Sequence, residues 1–191
     1  MSVTIPDYLE PFEGWRVWRI DSDKSDFRLV SVVQETSWPP HEELVAECMR
    51  RRILARLHRP ERHQAPAEPC ACGIYATTLD RLAAYMPADD PHTRYVFGRV
   101  RLWGTVIECE KGWRASRAYP AEIIVPAPQR APRPGIMASP QPTVARASAE
   151  EIAHGLIDYA VPITVLSHPP KRALDSMAHK LARARFVGFV R

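Results

Sequence analysis

Residues 94–126 carry the strongest β-strand pattern of the chain, and this pattern constrains the fold more than any other feature. Two runs of alternating apolar and polar residues are joined around the sequence EKGW, where Gly112 suits a turn that needs a positive φ angle. Gly98 and Gly104 interrupt the first run and indicate sharp bends in that strand. The pattern therefore predicts a small antiparallel sheet that is curled or closed into a barrel.

The chain before residue 94 predicts two further strands and one long helix. Residues 14–21 and 27–33 are rich in aromatic and β-branched residues, which is typical of two strands joined by a polar turn. Residues 41–57 predict a crossing helix, because they follow two prolines and place acidic residues in the first turn and arginines in later turns. Three prolines make 58–76 an irregular loop, and 77–86 predict a short helix.

The last third of the chain has a different composition. Prolines, alanines and arginines dominate residues 127–147, which predicts an extended linker. Ser148 follows, with a glutamate three residues later, and this spacing is typical of a capping box at a helix start. We therefore predict an α+β fold with a β-rich domain (1–126), a linker (127–147) and a C-terminal α/β annex (148–191).

The loop sequence HQAPAEPCACGIYA, residues 63–76, contains a histidine and a Cys-x-Cys pair. Structural zinc binds four nitrogen or sulfur ligands in a tetrahedron. Gly73 directly after the pair lets the backbone turn, so that both sulfur atoms can face one point. Together with a cysteine on the packed face of the predicted helix, these residues predict a metal-stabilised loop with a Cys3His zinc site, made of Cys48, His63, Cys70 and Cys72.

Other residues and other chemistries compete with this zinc set. His58 competes for the nitrogen position, and Cys109 competes for the third sulfur. The same ligand types could hold an iron–sulfur cluster, and a pair of cysteines with a lowered pKa could be redox-active. Without a metal, Cys48 and Cys109 would be small apolar core residues, and Cys70 and Cys72 would be a surface pair.

A group of arginines lies between residues 50 and 62, directly before the cysteine loop. Arginines neutralise phosphates, so this segment predicts a contact with nucleic acid. A solvated helix face is the alternative, and the net charge of +4 permits an acidic partner without requiring one. The arginines concerned are Arg50, Arg51, Arg52, Arg56, Arg59 and Arg62.

The motif C…HxAP…CxCGIYA is followed by GxVxLWGxVIE…GWRAxxAYP. In this order the two motifs resemble a group of high-GC bacterial proteins that has no assigned activity. The resemblance covers about residues 14–125 and leaves the last third of the chain unmatched. It implies that the predicted sheet and the cysteine loop form one unit, and it implies no mechanism.

The sequence contains none of the common catalytic motifs, such as Gly-x-Ser-x-Gly or His-Glu-x-x-His. We therefore expect a non-enzymatic, zinc-stabilised binding or adaptor protein, with nucleic acid or a protein in a larger assembly as its partner. The alternatives are an iron–sulfur protein, a redox-active cysteine protein, and a zinc enzyme that uses the same residues. We find no secretory signal and no apolar run long enough to span a membrane, so we expect a cytoplasmic location.

Overall fold

The fold is built on a curled, mostly antiparallel sheet, and it belongs to the α+β class as predicted. The computed structural model describes residues 3–4, 11–23, 26–48, 63–86, 93–128, 144, 147–169, 172, 174–175 and 177. Its strands are β1 (Val3–Thr4), β2 (Phe12–Asp23), β3 (Asp26–Ser31), β4 (Ser37–Trp38), β5 (Leu44–Val45), β6 (Ile74–Ala76), β7 (Arg94–Cys109), β8 (Gly112–Pro120), β9 (Ile123–Pro126) and β10 (Ile163–Leu166). The α-helices of the described part are α1 (Leu79–Leu82) and α2 (Ala149–Gly155).

Strand β7 is the longest strand, and four other strands pair with it. Its first half pairs with β2 and β9, and its second half pairs with β1 and β8. Between Trp103 and Val106 the register with β8 shifts, and Gly104 in this interval has a φ angle of +72°. The predicted bend at Gly104 is thus confirmed, as are the β7–β8 hairpin and the positive φ angle of Gly112. The bend lets one strand serve both halves of the curled sheet.

The two predicted N-terminal strands form the antiparallel pair β2–β3, as expected. Because side chains alternate along a strand, β2 contributes to two hydrophobic clusters on opposite faces. Trp18 and Ile20 lie in the larger cluster, which also contains residues of β9 and α2. Val17 lies in the second cluster with Leu82 of α1. The predicted helix over 77–86 is confirmed as α1 followed by a 3₁₀ turn at Ala83–Tyr85.

The prediction of a crossing helix over 41–57 is wrong for residues 41–48, and residues 49–57 lie outside the described residues. Residues 44 and 45 form β5, which pairs with Ala118 and Arg117 of β8. An ion pair of 2.8 Å between Arg117 and Glu43 lies beside this pairing. The outer edge of β8, which faces away from β7, carries backbone N–H and carbonyl groups that need partners. Hydrogen bonding to these groups outweighs the helical pattern of residues 41–48.

The C-terminal segment packs directly on the sheet. Strand β10 pairs in parallel with β9, and helix α2 begins with the predicted capping box of Ser148 and Glu151. Ile152 and Leu156 lie in the larger hydrophobic cluster. Of the predicted linker, Val144 and Ala147 are also buried there, while residues 129–143, 145–146 and 178–191 lie outside the described residues.

Tyr159 links this segment to the sheet through its phenol group. The hydroxyl donates a hydrogen bond of 2.6 Å to the carbonyl of Trp38 and accepts one of 2.9 Å from the backbone N–H of Leu29. The side chain is buried, and burial raises the pKa of Tyr159 to about 12. No helix within the described ranges combines the length and apolar character that crossing a bilayer requires.

We predict that Tyr159→Phe lowers the free energy of unfolding by about 1–3 kcal/mol, because it leaves a buried carbonyl and a buried N–H unpaired. Tyr85→Phe, at an exposed tyrosine, is the matched control and changes stability little. Denaturant unfolding measures both variants. A Tyr159→Phe protein as stable as the wild type would show that the bridge is dispensable.

The raised pKa of Tyr159 also predicts a pH dependence. The unfolded phenol loses its proton near its ordinary pKa of 10, whereas the folded phenol keeps its proton up to about 12. The stabilisation is therefore complete below pH 10 and is lost as the pH rises towards 12. Melting curves across this range should converge for the wild type and Tyr159→Phe, and curves that stay parallel would contradict this linkage.

Candidate metal centre

The outer edge of β8 determines where the predicted ligands lie. Strands β5 and β6 both pair antiparallel with this edge, β5 at residues 117–118 and β6 at residues 113–115. The backbone N–H of Ala46 donates to the carbonyl of Ser116, which lies between the two pairings. The residues just after β5 and the residues just before β6 therefore lie at the same strand edge, which brings them close together.

The four predicted ligands lie at this meeting point. Cys48 follows β5 by three residues, and Cys72 precedes β6 by two. The Sγ atoms of Cys48 and Cys70 are 3.7 Å apart, and Nε2 of His63 lies 3.3 Å from Sγ of Cys72. All four ligand atoms lie within 4.8 Å of one another. The structure thus brings together the complete set that the sequence predicted, although β5 rather than a helix positions Cys48.

These distances fit the coordination of one ion. For Zn–S bonds of about 2.3 Å, a tetrahedron separates neighbouring sulfur atoms by about 3.7–3.8 Å. The 3.7 Å between the sulfurs of Cys48 and Cys70 matches this edge, and it is much longer than a disulfide bond of about 2.05 Å. Cys109 contacts the carbonyl of Ile107 at the end of β7 and does not belong to the cluster. His58, the other competitor, lies outside the described residues.

Backbone geometry shapes the loop between His63 and β6. Gly73 has a φ angle of +124°, and a Cβ atom there would lie 3.1 Å from Cβ of Pro66, so the predicted need for glycine is confirmed. The backbone N–H of Cys70 donates to the carbonyl of Ala67 at 3.0 Å. The loop therefore holds both cysteines of the Cys-x-Cys pair in a tight turn beside the sheet.

Arg114 is a functional residue that the sequence analysis missed. It lies on β8, its side chain is buried, and its guanidinium donates hydrogen bonds to the backbone carbonyls of four loop residues. These carbonyls belong to Ala67 (3.0 Å), Glu68 (3.3 Å), Cys70 and Cys72 (3.0 Å). A buried arginine in a strand needs hydrogen-bond partners, but nothing in the strand sequence GWRASRAYP indicates that the cysteine loop supplies them.

The charge of Arg114 suits the ligand set. Three thiolates and one neutral imidazole around a divalent cation carry a net charge of about −1. A buried guanidinium bound to the same loop compensates that charge at short range. Arg114 therefore holds the loop by hydrogen bonds, and its charge would balance that of a metal centre.

Burial raises the pKa of the Cys72 thiol, and the neighbouring Cys70 and Cys48 raise it further, while a hydrogen bond to the backbone of Ala67 opposes the rise. A redox-active thiol needs a lowered pKa. The pKa of Cys72 is therefore shifted upward, whereas a redox-active role for this residue requires a downward shift.

The arginines predicted to contact nucleic acid, Arg50, Arg51, Arg52, Arg56, Arg59 and Arg62, all lie outside the described residues. The flanking residues Cys48 and His63 are described, and their ligand atoms lie in the same cluster. Comparisons of this chain with protein-family models, with curated proteins and with solved structures gave no match.

We predict that Arg114→Lys destabilises the protein by about 2–4 kcal/mol, because one ammonium group cannot reach four carbonyls and buried acceptors are left unpaired. Arg101→Lys is the control, since Arg101 is exposed and its ion pair with Glu13 measures 3.5 Å. Thermal unfolding measures both variants. Equal melting temperatures for Arg114→Lys and the control would contradict a role in holding the loop.

Proposed function

We propose that this chain is a non-enzymatic binding protein whose cysteine loop is held by a structural zinc ion. The observation that supports this proposal is the convergence of Cys48, His63, Cys70 and Cys72, whose ligand atoms all lie within 4.8 Å of one another. Three sulfurs and one imidazole nitrogen are an ordinary ligand set for structural zinc.

The compactness of the cluster favours one ion over an iron–sulfur centre. Such a centre contains at least two irons, and each iron takes its own protein ligands. Ligands on different irons are spread farther apart than ligands that share one ion. Cysteine is also the usual ligand of these clusters, whereas this set includes a histidine.

The number of ligands favours a structural role over catalysis. A catalytic zinc site provides three protein ligands and leaves the fourth position for water or substrate. Here four protein ligands fill the tetrahedron. The ion would join the chain just after β5 to the chain just before β6, and so fix the relative positions of two segments that pair with the same edge of β8.

The partner that we propose is nucleic acid, contacted by the six arginines between residues 50 and 62. Their two flanking ligands, Cys48 and His63, meet at the proposed ion, so zinc would close the arginine segment into a loop. A closed loop loses less conformational entropy on binding than an open chain does. A protein partner in a larger assembly is the second candidate, and a cytoplasmic location suits cysteines that are kept reduced.

We predict that the purified protein contains one zinc per chain and that Cys70→Ser and Cys72→Ser lose it. If losing the ion lowers the free energy of unfolding by about 3 kcal/mol, the melting temperature falls by about 6–12 °C in a chain of this size. Cys109→Ser is the matched control, because it removes a half-buried thiol outside the cluster. Elemental analysis and melting curves measure both effects, and a Cys70→Ser protein with full zinc content and stability would refute the ligand role.

We also predict that the chain binds a single-stranded oligonucleotide with an affinity that falls as salt rises. Six phosphate contacts would give a slope of log K against log salt of about −4. Replacing the six arginines with glutamine should remove most of this slope. The control replaces Arg99, Arg101 and Arg117, which form ion pairs on the sheet, and it should keep the slope. An unchanged slope in the six-glutamine variant would exclude these arginines as the phosphate contacts.

A further inference from the structure

A groove of about 760 Å³ opens beside the cysteine loop. Cys70 and Ala71 of the loop form one wall, and the turn after β3 forms another. Its volume lies within the range of about 300–1,000 Å³ that is typical of pockets for small molecules. Aromatic side chains from four different elements line it, namely Trp15 of β2, Tyr75 of β6, Tyr85 of the 3₁₀ turn and Trp113 of β8.

Arg16 lines this groove together with two other cations, Lys111 and Arg114. Its guanidinium donates one hydrogen bond to the carbonyl of Tyr75 and another, of 2.9 Å, to the hydroxyl of Ser31. The guanidinium also stacks over the indole of Trp38, with 5.1 Å between its carbon and the ring centroid. Its Nε atom is buried and has no hydrogen-bond partner in the described part of the chain.

All these partners of Arg16 are neutral. Within the described residues, no carboxylate forms an ion pair with Arg16. Burial lowers the pKa of Arg16 to about 10, so the group still carries its charge at neutral pH. A guanidinium in a confined site without a counter-charge is unfavourable, and a bound anion would supply that charge.

We propose that this groove binds a small organic anion that has an aromatic or aliphatic body. Its carboxylate, phosphate or sulfonate group pairs with the guanidinium of Arg16, and its apolar body lies against the aromatic walls. Tyr75 and Tyr85 are large aromatic residues that remain 41% and 45% exposed, and such a ligand covers them. Lys111 also lines the groove, but the carboxylates of Glu68 and Glu110 line it too and offset that charge, so the preference for an anion depends on Arg16.

This inference gives the proposed binding protein a ligand class, and it rests on the proposed zinc ion for the fixed shape of the loop wall. The proposed zinc ion would support the wall formed by Cys70 and Ala71, whereas Arg16 on β2 would recognise the anion. The two ideas are therefore separable, because zinc content and anion binding are measured independently on the same samples.

The test compares two fluorescent probes that share one aromatic body. 8-Anilino-1-naphthalenesulfonate carries a sulfonate, and N-phenyl-1-naphthylamine lacks it. We expect both probes to bind the native protein with one site per chain. In Arg16→Gln the dissociation constant of the sulfonate probe should rise about tenfold or more, while that of the neutral probe changes less than about twofold. Equal changes for both probes, or an unchanged sulfonate affinity, would overturn the proposal.

A second variant keeps the test decisive if Arg16→Gln does not fold. Tyr85→Glu places a carboxylate at the exposed rim and leaves the core intact. It should weaken the sulfonate probe more than the neutral probe, and the reverse order would count against the proposal. Arg99→Gln, outside the groove, is the control and should bind both probes as the wild type does. Decanoate and adenosine monophosphate as competitors then distinguish a carboxylate ligand from a phosphate ligand.

Discussion

The outer edge of β8 is the constraint on which the candidate site depends. Its backbone groups need hydrogen-bond partners. Two short strands that are separated in the sequence, β5 and β6, pair with successive parts of this edge. The candidate ligands lie just beyond these pairings, with Cys48 three residues after β5 and Cys72 two residues before β6. Sheet pairing therefore brings the candidate ligands together, and a bound ion would fix that arrangement.

Two guanidinium groups line the groove beside the cysteine loop, Arg114 buried and Arg16 half-buried, and they differ in their partners. Arg114 donates to backbone carbonyls of the cysteine loop. Arg16 donates to the carbonyl of Tyr75 and the hydroxyl of Ser31, and it stacks on the indole of Trp38. In the proposed function, Arg114 would balance the charge of the metal centre, whereas Arg16 would pair with a bound anion.

Local patterns in the sequence predict much of this fold. The alternation over 94–126 gave the β7–β8 hairpin and its bends, and the spacing of Ser148 and Glu151 gave the helix start. The four ligands followed from their chemistry and from the need for glycine after the Cys-x-Cys pair. The strand at residues 44–45 was missed because its pairing with residues 117–118 of β8, remote in the sequence, decides its conformation. Arg114 and Arg16 were missed for the same reason, since their partners come from segments remote in sequence.

X-ray absorption at the zinc edge of the purified protein identifies the ligands of the proposed ion. We predict three sulfur neighbours at about 2.3 Å and one nitrogen neighbour at about 2.0–2.1 Å. Cys48 is remote in sequence from Cys70 and Cys72, and replacing it should remove one sulfur from that shell. A zinc ion surrounded by oxygen and nitrogen, or a sulfur shell that persists unchanged in the Cys48 variant, would contradict the proposed Cys3His site.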